Sequence, residues 1–285
     1  MQLFRKVLVA VDGSHSCFRA IELAVHFARE FGSEVTVIHV VSHDFMHPEL
    51  KAHHQLPSLI LHELDTAYQK AGRKIIRAAE EHFREENMEI KAELVRAEDP
   101  AEKVLQMVKK SDYDLLIIGN NSEIRFKRFS LGSVAEKISL YARCPVLIAK
   151  RKTEVKKLLM AVDGSEKANK ALEYAIQLCR QFGARMTLLH VEEGELFRLE
   201  PKVTKRVGEQ ILAEAAGKVK AGDVAFDIRL EFGNPARTIL QVAKEEDYDL
   251  IVVGSRGVSS VKRFLLGSIS ADVSMHAQRS VLIVR

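Results

Sequence analysis

The chain has 285 residues, of which 47% are hydrophobic and 29% charged, and its 43 basic and 39 acidic residues leave a formal charge of +4. That length suits one large domain or two of roughly 140 residues, and either can bury a sizeable core. The charges are interspersed, Trp is absent and aromatic residues make up 6%, which argues against a nucleic-acid partner that needs a basic surface and stacking platforms.

The first predicted element is KVLVAV (6–11), a short apolar, β-branched run suited to a strand buried on both faces. It stops at Asp12, too soon for a signal peptide, and no apolar stretch nears the roughly 20 residues of a membrane helix. Asp12-Gly13-Ser14 breaks the strand, Ser16 is placed to cap a helix over 18–31, and Gly32 ends it. A strand at 35–40 follows, then a long polar helix over 62–86 and a third strand at 90–95. Pro100 suits a first helical turn, giving a helix over 100–110. Residues 115–118 form a fourth strand, Gly132-Ser133 opens another helix, and 146–149 is the last strand. Strand and helix alternate, which predicts a mainly parallel sheet with helices on both faces. Ligands bind such sheets beyond the carboxyl ends of the strands, where strand order reverses.

The same series occurs twice. KVLVAVDGS (6–14) matches KLLMAVDGS (157–165), and VIHV (37–40) matches LLHV (188–191), at an offset of about 151. SDYDLLIIG (111–119) matches EDYDLIVVG (246–254), FKRFSLGS (126–133) matches VKRFLLGS (261–268), and CPVLIAK (144–150) answers to RSVLIVR (279–285), now at about 135. The first copy therefore carries about 16 extra residues between Val40 and Glu93. We read two domains, 1–150 and 151–285.

The chemistry concentrates in VVGSRGVSSVKRFLLGSIS (252–270). Gly254 ends the fourth strand of the second copy, Gly257 lies in the next loop, and Gly267-Ser268 opens a helix. Glycines let backbone approach a ligand closely. A helix start offers unpaired N–H groups and a positive dipole end to an anion. Arg256, Lys262 and Arg263 add positive charge, so the stretch reads as a phosphate cradle. It is not a P-loop, since GxxxxGK[ST] is missing, and no GxGxxG follows either first strand.

Gly-x2-Gly-x9-Gly-Ser after a strand, with Ala-Val-Asp-Gly-Ser closing the first strand, resembles the universal stress protein family, and the likeness covers nearly the whole chain twice. It implies a tandem α/β protein of two Rossmann-like, adenine nucleotide alpha hydrolase-like domains, each a five-stranded parallel sheet flanked by helices. It also implies ATP or AMP as ligand, with Mg2+ accompanying ATP. Carried over, Asp163 after Ala161-Val162 meets the ribose or adenine side, where a carboxylate accepts from hydroxyls. Val191 holds the adenine edge through its backbone. Gly254, Arg256, Gly257, Gly267 and Ser268 surround ribose and phosphates, and Ile269 and Ser270 complete the helix start. The first copy keeps Asp12, Val40, Gly119, Gly132 and Ser133 as a second, weaker site. There Ser122 replaces the middle glycine, Ala135 replaces Ser270, and Glu123 adds negative charge. If the middle position needs positive φ, a non-glycine costs roughly 1–2 kcal/mol, so the first copy is expected to bind nucleotide at least tenfold more weakly, or not at all.

Other features carry blander readings. Six histidines (39, 43, 47, 53, 54 and 62) cluster around the insertion of the first copy; we read a polar flap over its cleft rather than a metal site. Ser14-His15 has no counterpart in Ser165-Glu166, and no Gly-x-Ser-x-Gly elbow occurs, so a hydrolase triad is rejected. Lys127-Arg128-Phe129 and Lys262-Arg263-Phe264 read as basic edges with Phe turned inward. Three cysteines, Cys17, Cys144 and Cys179, without CxxC spacing fit a reducing cytoplasm. The expectation is a nucleotide-binding stress-response regulator rather than an enzyme, its two domains paired inside the chain through their last strands and two chains pairing again as a homodimer. The alternatives are a slow or autophosphorylating ATPase, and a scaffold that uses no nucleotide.

Overall fold

A computed structural model of the chain describes residues 3–42, 58–120, 131–150, 154–193, 201–257 and 266–285. The first half runs β1 (Lys6–Ala10), α1 (His15–Phe31), β2 (Glu34–Val41), α2 (Ser58–Glu85), β3 (Ile90–Arg96), α3 (Pro100–Ser111), β4 (Leu115–Gly119), α4 (Ser133–Tyr141) and β5 (Val146–Ala149). The second runs β6 (Lys157–Ala161), α5 (Glu166–Phe182), β7 (Arg185–Glu192), α6 (Pro201–Ala221), β8 (Phe226–Phe232), α7 (Pro235–Glu245), β9 (Leu250–Gly254), α8 (Ser268–His276) and β10 (Ser280–Val284). Strand order in the single sheet is β3-β2-β1-β4-β5-β10-β9-β6-β7-β8.

Each half is a five-stranded parallel sheet, as the alternating elements imply, because every β-α-β crossover returns the chain in the same direction. The halves join where β5 and β10 pair antiparallel, Ile148 opposite Val281 and Val146 opposite Ile283. Ten strands thus make one continuous mixed sheet. Side chains alternate across it with period two. Val7, Val9, Ile117, Leu147, Val252 and Leu282 face one core layer, under α1, α2, α5 and α6. Leu8, Leu116, Ile148, Ile251 and Ile283 face the other, under α3, α4, α7 and α8. Both layers run across the seam between halves. On the first, Phe4, Phe27 and Phe31 of one half meet Tyr174 and Phe182 of the other, with Phe27 and Phe182 edge to face at 5.0 Å.

Two repeated details explain shared sequence. Asp114 Oδ2 accepts from Arg5 N and Lys6 N, each at 2.9 Å, and Asp249 Oδ2 accepts from Lys156 N and Lys157 N at the same distances. The Asp-Tyr-Asp repeat therefore fastens the start of the first strand of each half. Asp112 and Asp247 take left-handed backbone (φ 48° and 55°), which Asp tolerates better than most residues.

The cap of α1 differs from expectation. The helix starts at His15 with Ser14 as N-cap, and Ser16 lies inside the first turn, its Oγ 2.9 Å from Ser14 Oγ. The left-handed Gly13 (φ 79°) reverses the chain within three residues of β1, so the helix begins sooner. In the second half Ser165 does cap, accepting from Ala168 N at 3.1 Å.

Candidate functional site

At the switch point of the second half, β6 lies between β7 and β9. β6 ends at Ala161, opposite Leu189, and Val162 N donates to Leu189 O at 2.9 Å. β7 continues to Glu192, paired on its far side with β8. Val191 therefore runs past the end of β6, with its β6-side edge at the mouth of the cleft. Ala161 is half-buried, Val162 buried, and Asp163 half-buried at the carboxyl end of the strand. Asp163 Oδ1 accepts from Ser165 N at 2.9 Å, which fixes the carboxylate over the turn.

The glycines now acquire physical reasons. A Cβ on Gly254 would come within 2.7 Å of Lys167 C and 2.8 Å of Ala168 N, so the end of β9 touches the backbone of α5. A Cβ on Gly257 would lie 2.5 Å from Asp163 Oδ2. Gly257 is not in the left-handed region, so the conformational argument made from sequence gives way to a steric one: the bare face of Gly257 makes room for the Asp163 carboxylate. A Cβ on Gly267 would sit 3.3 Å from the Arg256 Cα, and Gly267 N donates to Ser255 O at 2.8 Å, holding the loop against the start of α8. Gly267 is the N-cap of α8 and supplies no side-chain cap, so the first-turn N–H groups of that helix have no hydroxyl or carboxylate of the cap residue on them. Ser268 is exposed there and Ile269 half-buried. Ser270 is buried, and its hydroxyl donates to Gly254 O at 2.6 Å. Ser270 thus braces strand against helix. Arg256 is half-buried, and its carbonyl accepts from Ser165 Oγ at 3.3 Å. Lys262, Arg263 and Phe264 lie outside the described residues.

Sequence reasoning missed the cleft wall. His190 Nδ1 lies 2.7 Å from Val162 O and Nε2 3.1 Å from Glu192 Oε1. The ring ties β7 to the turn after β6. Gly208 of α6 lies against it, since a Cβ there would come within 2.9 Å of His190 Cδ2 and 2.7 Å of Leu230 Cδ1. The signal was present: His39 and Gly72 hold the same places in the first half. His39 Nδ1 lies 2.7 Å from Val11 O, and a Cβ on Gly72 would meet its ring at 3.0 Å.

The first half brings Asp12, Val40, Gly119, Gly132 and Ser133 around one cleft of ≈ 680 Å³. Asp12 Oδ1 accepts from Ser14 N at 2.9 Å, as Asp163 does from Ser165. A Cβ on Gly119 would meet the Ser16 carbonyl at 2.9 Å. At the rim Lys137 pairs with Asp99, and that ammonium, with the Glu102 N–H, holds the Asp99 carboxyl below its ordinary range. Ser122, Glu123 and Lys127-Arg128-Phe129 lie outside the described residues, as do His43, His47, His53 and His54. Of the other clustered histidines, His39 lines this cleft and His62 is exposed on α2. The cysteines are buried, and burial raises the Cys144 and Cys179 thiols to about 12. Among the described residues no helix is long and apolar enough to cross a membrane.

Comparison with known proteins matches both halves to one family. The model of the universal stress protein family fits residues 3–150 and again 154–285. The universal stress protein YxiE of Bacillus subtilis is 37% identical over 145 residues, 45% of this chain and 98% of that protein. The crystal structure of a universal stress protein from Archaeoglobus fulgidus covers 98% of this chain and 96% of its own, with a TM-score of 0.72 at 23% identity. A universal stress protein solved in complex with cAMP is 26% identical, covers 46% of this chain and 98% of its own, and has a TM-score of 0.40. The chain belongs to the universal stress protein family, with two of the family's domains in tandem.

Proposed function

We propose that the protein is an adenine-nucleotide-binding regulator and that the second half holds the nucleotide. The observation that carries this reading is the contact between Gly257 and Asp163. A bare glycine, an oriented carboxylate and an uncapped helix start converge where β9 and β6 end. Asp163 Oδ2 is placed to accept from ribose hydroxyls. The first turn of α8, behind the N-cap Gly267 that supplies no side-chain cap, would take phosphate oxygens on backbone N–H groups. Mg2+, where it accompanies ATP, would be held by the phosphates themselves and would neutralise their charge, since no cluster of three or more His, Cys, Asp or Glu side chains suited to a metal occurs among the described residues.

Isothermal titration of ATP and AMP into the full chain tests the reading. Asp163→Ala is expected to weaken binding at least tenfold, the loss of one hydrogen bond between a charged group and its partner. Asp12→Ala is expected to leave the tight site unchanged. Saturation unaffected by Asp163→Ala, or lost in Asp12→Ala, overturns the assignment to the second half. A phosphate-release assay on the same proteins separates binding from turnover.

A further inference from the structure

Among the described residues the sheet ends at β3 on one side and β8 on the other. The two strands hold equivalent places but present different edges. By their registers on β2 and β7, Ala92 answers to Ile228 and Arg96 to Phe232. At β3 a small residue and an arginine, paired with Asp65 at 2.6 Å, blunt the edge. At β8 the side chains are large and apolar, and Ile228 is 52% and Phe232 53% exposed. Terminal strands ordinarily avoid such side chains because they invite another strand.

The backbone of β8 is turned to receive one. Met186 N donates to Ala225 O at 3.0 Å, and Gly233 N donates to Glu192 O at 2.9 Å. Odd-numbered residues therefore direct their peptide groups toward β7. Phe226, Ile228, Leu230 and Phe232 direct theirs to the outer side. The side chains of these four share one face, on which Phe226 and Leu230 pack against the core layer under α5 and α6. The opposite face carries Asp227, Arg229 and Glu231, a negative, positive, negative series.

That series is complementary to itself in particular registers. Two antiparallel copies of β8 keep a common apolar face when even-numbered residues oppose one another. Centred on Arg229, the pairing sets Arg229 against its own counterpart and Asp227 against Glu231, like charges directly opposite, which is unfavourable. Centred on Leu230, it sets Arg229 against Glu231 and Ile228 against Phe232, once on each side of the axis. Both exposed apolar side chains are then covered by the other copy. Centred on Ile228, the pairing leaves Phe232 opposite Val224, outside the strand.

We infer that β8 is the docking edge for a second copy of this chain, the two strands pairing antiparallel about a two-fold axis at Leu230, so that two ten-stranded sheets become one. Such an interface is isologous and closed, and it is distinct from the β5–β10 pairing inside the chain. Asp163, Gly254, Gly257 and Gly267 take no part in this edge, so a failed dimer leaves the nucleotide assignment untouched.

Sedimentation of the full chain, without nucleotide and over a wide range of concentration, tests the edge. A monomer of 32.1 kDa is expected to give way to a species of twice that mass. Ile228→Lys is expected to weaken association at least tenfold with an unchanged melting temperature, because the side chain is exposed in the monomer. Arg229→Glu alone and Glu231→Arg alone are each expected to stay monomeric, since each sets like charges opposite. Mixed in equal amounts they are expected to restore the dimer, because the carboxylates of one chain then face the guanidinium groups of the other at both places. Arg229 also pairs with Glu231 and Glu246 of its own chain; if its variant fails to fold, Ile228→Lys decides. A monomer at every concentration, which would leave this edge to a strand of another protein, overturns the inference. So does a dimer indifferent to Ile228→Lys, or a mixture of the two folded charge variants that stays monomeric.

Discussion

At the scale of single residues, two glycines of one motif perform different tasks. At Gly254 a methyl group would strike backbone, the carbonyl carbon of Lys167 at 2.7 Å and Ala168 N at 2.8 Å. Backbone at a helix start cannot rotate aside, so β9 and α5 would have to separate. At Gly257 the methyl would strike the end of a side chain, Asp163 Oδ2 at 2.5 Å. That carboxylate can turn aside without separating any elements, giving up its hydrogen bond from Ser165 N, but it then leaves the position that the proposed ribose contact needs. The two substitutions are therefore expected to separate stability from binding. Gly254→Ala should destabilise the protein by about 1–3 kcal/mol, the usual penalty of overpacking, seen as a lower urea midpoint. Gly257→Ala should lower that midpoint less than Gly254→Ala does and weaken ATP at least tenfold by calorimetry. The spacing of these glycines was legible in the sequence. Their separate reasons were not, because each depends on which element lies opposite, and periodicity along one segment carries no such information.

At the scale of elements, the last residue of each half reaches across to the other. Lys150, just past β5, is 6% exposed, and its Nζ donates to Ser274 O at 2.7 Å and Ala277 O at 2.9 Å, at the end of α8. Arg285, just past β10, donates from Nη2 to Ser139 O near the end of α4. Each cation meets the carbonyl end of a helix, where the dipole favours positive charge. Burial nonetheless costs the charged forms: it lowers the Lys150 ammonium to about 7 and the Arg285 guanidinium to about 10. For Lys150 the folded state releases its proton before the unfolded state does. Between about pH 7 and the ordinary lysine value near 10.5 the unfolded chain holds more protons, so stability from this group rises with pH and falls as pH drops toward 7. The slope is at most about 1.4 kcal/mol per pH unit, and the carbonyl acceptors reduce it by favouring the ammonium. Lys150→Met is expected to flatten the rise in stability between pH 7 and 9, measured by urea unfolding at several pH values. An unchanged profile would mean that the lysine stays charged throughout. Elements themselves were largely readable: all five strands of the first half and their helices fall where alternating apolar runs and Gly or Pro breaks put them. The exchange of terminal cations was not, since Lys150 and Arg285 look like ordinary polar ends of their strands until the strands are paired.

At the scale of the whole molecule, the duplication was evident from repeated words such as DYDL and AVDGS, and the resemblance to the family pointed to pairing of the last strands. What the sequence could not convey is how much of the protein depends on that seam. β5 reads VLIA and β10 reads SVLIV, every residue of both is buried, and each would be an open, apolar sheet edge in an isolated half. The same seam continues above and below the strands. Phe4, Phe27 and Phe31 pack on Tyr174 and Phe182 in one layer, Lys150 and Arg285 cross in the other, and Arg19 Nη1 donates to Lys150 O at 2.6 Å. The backbone from Lys150 to Glu154 is thus a small part of what joins the halves. A protease site placed at residues 151–153 is expected to yield, after cutting, two fragments that elute as one species at the size of the intact chain. They should also keep the ATP affinity of the uncut protein, because the proposed nucleotide contacts lie wholly within the second half. Charge reversal at the crossing, Lys150→Glu with Arg285→Glu, should then release the fragments, since a carboxylate at either place would face helix carbonyls without a hydrogen to donate. Fragments that part immediately on cutting the unmodified chain would show that covalent connection, rather than the shared sheet, holds the two domains in register.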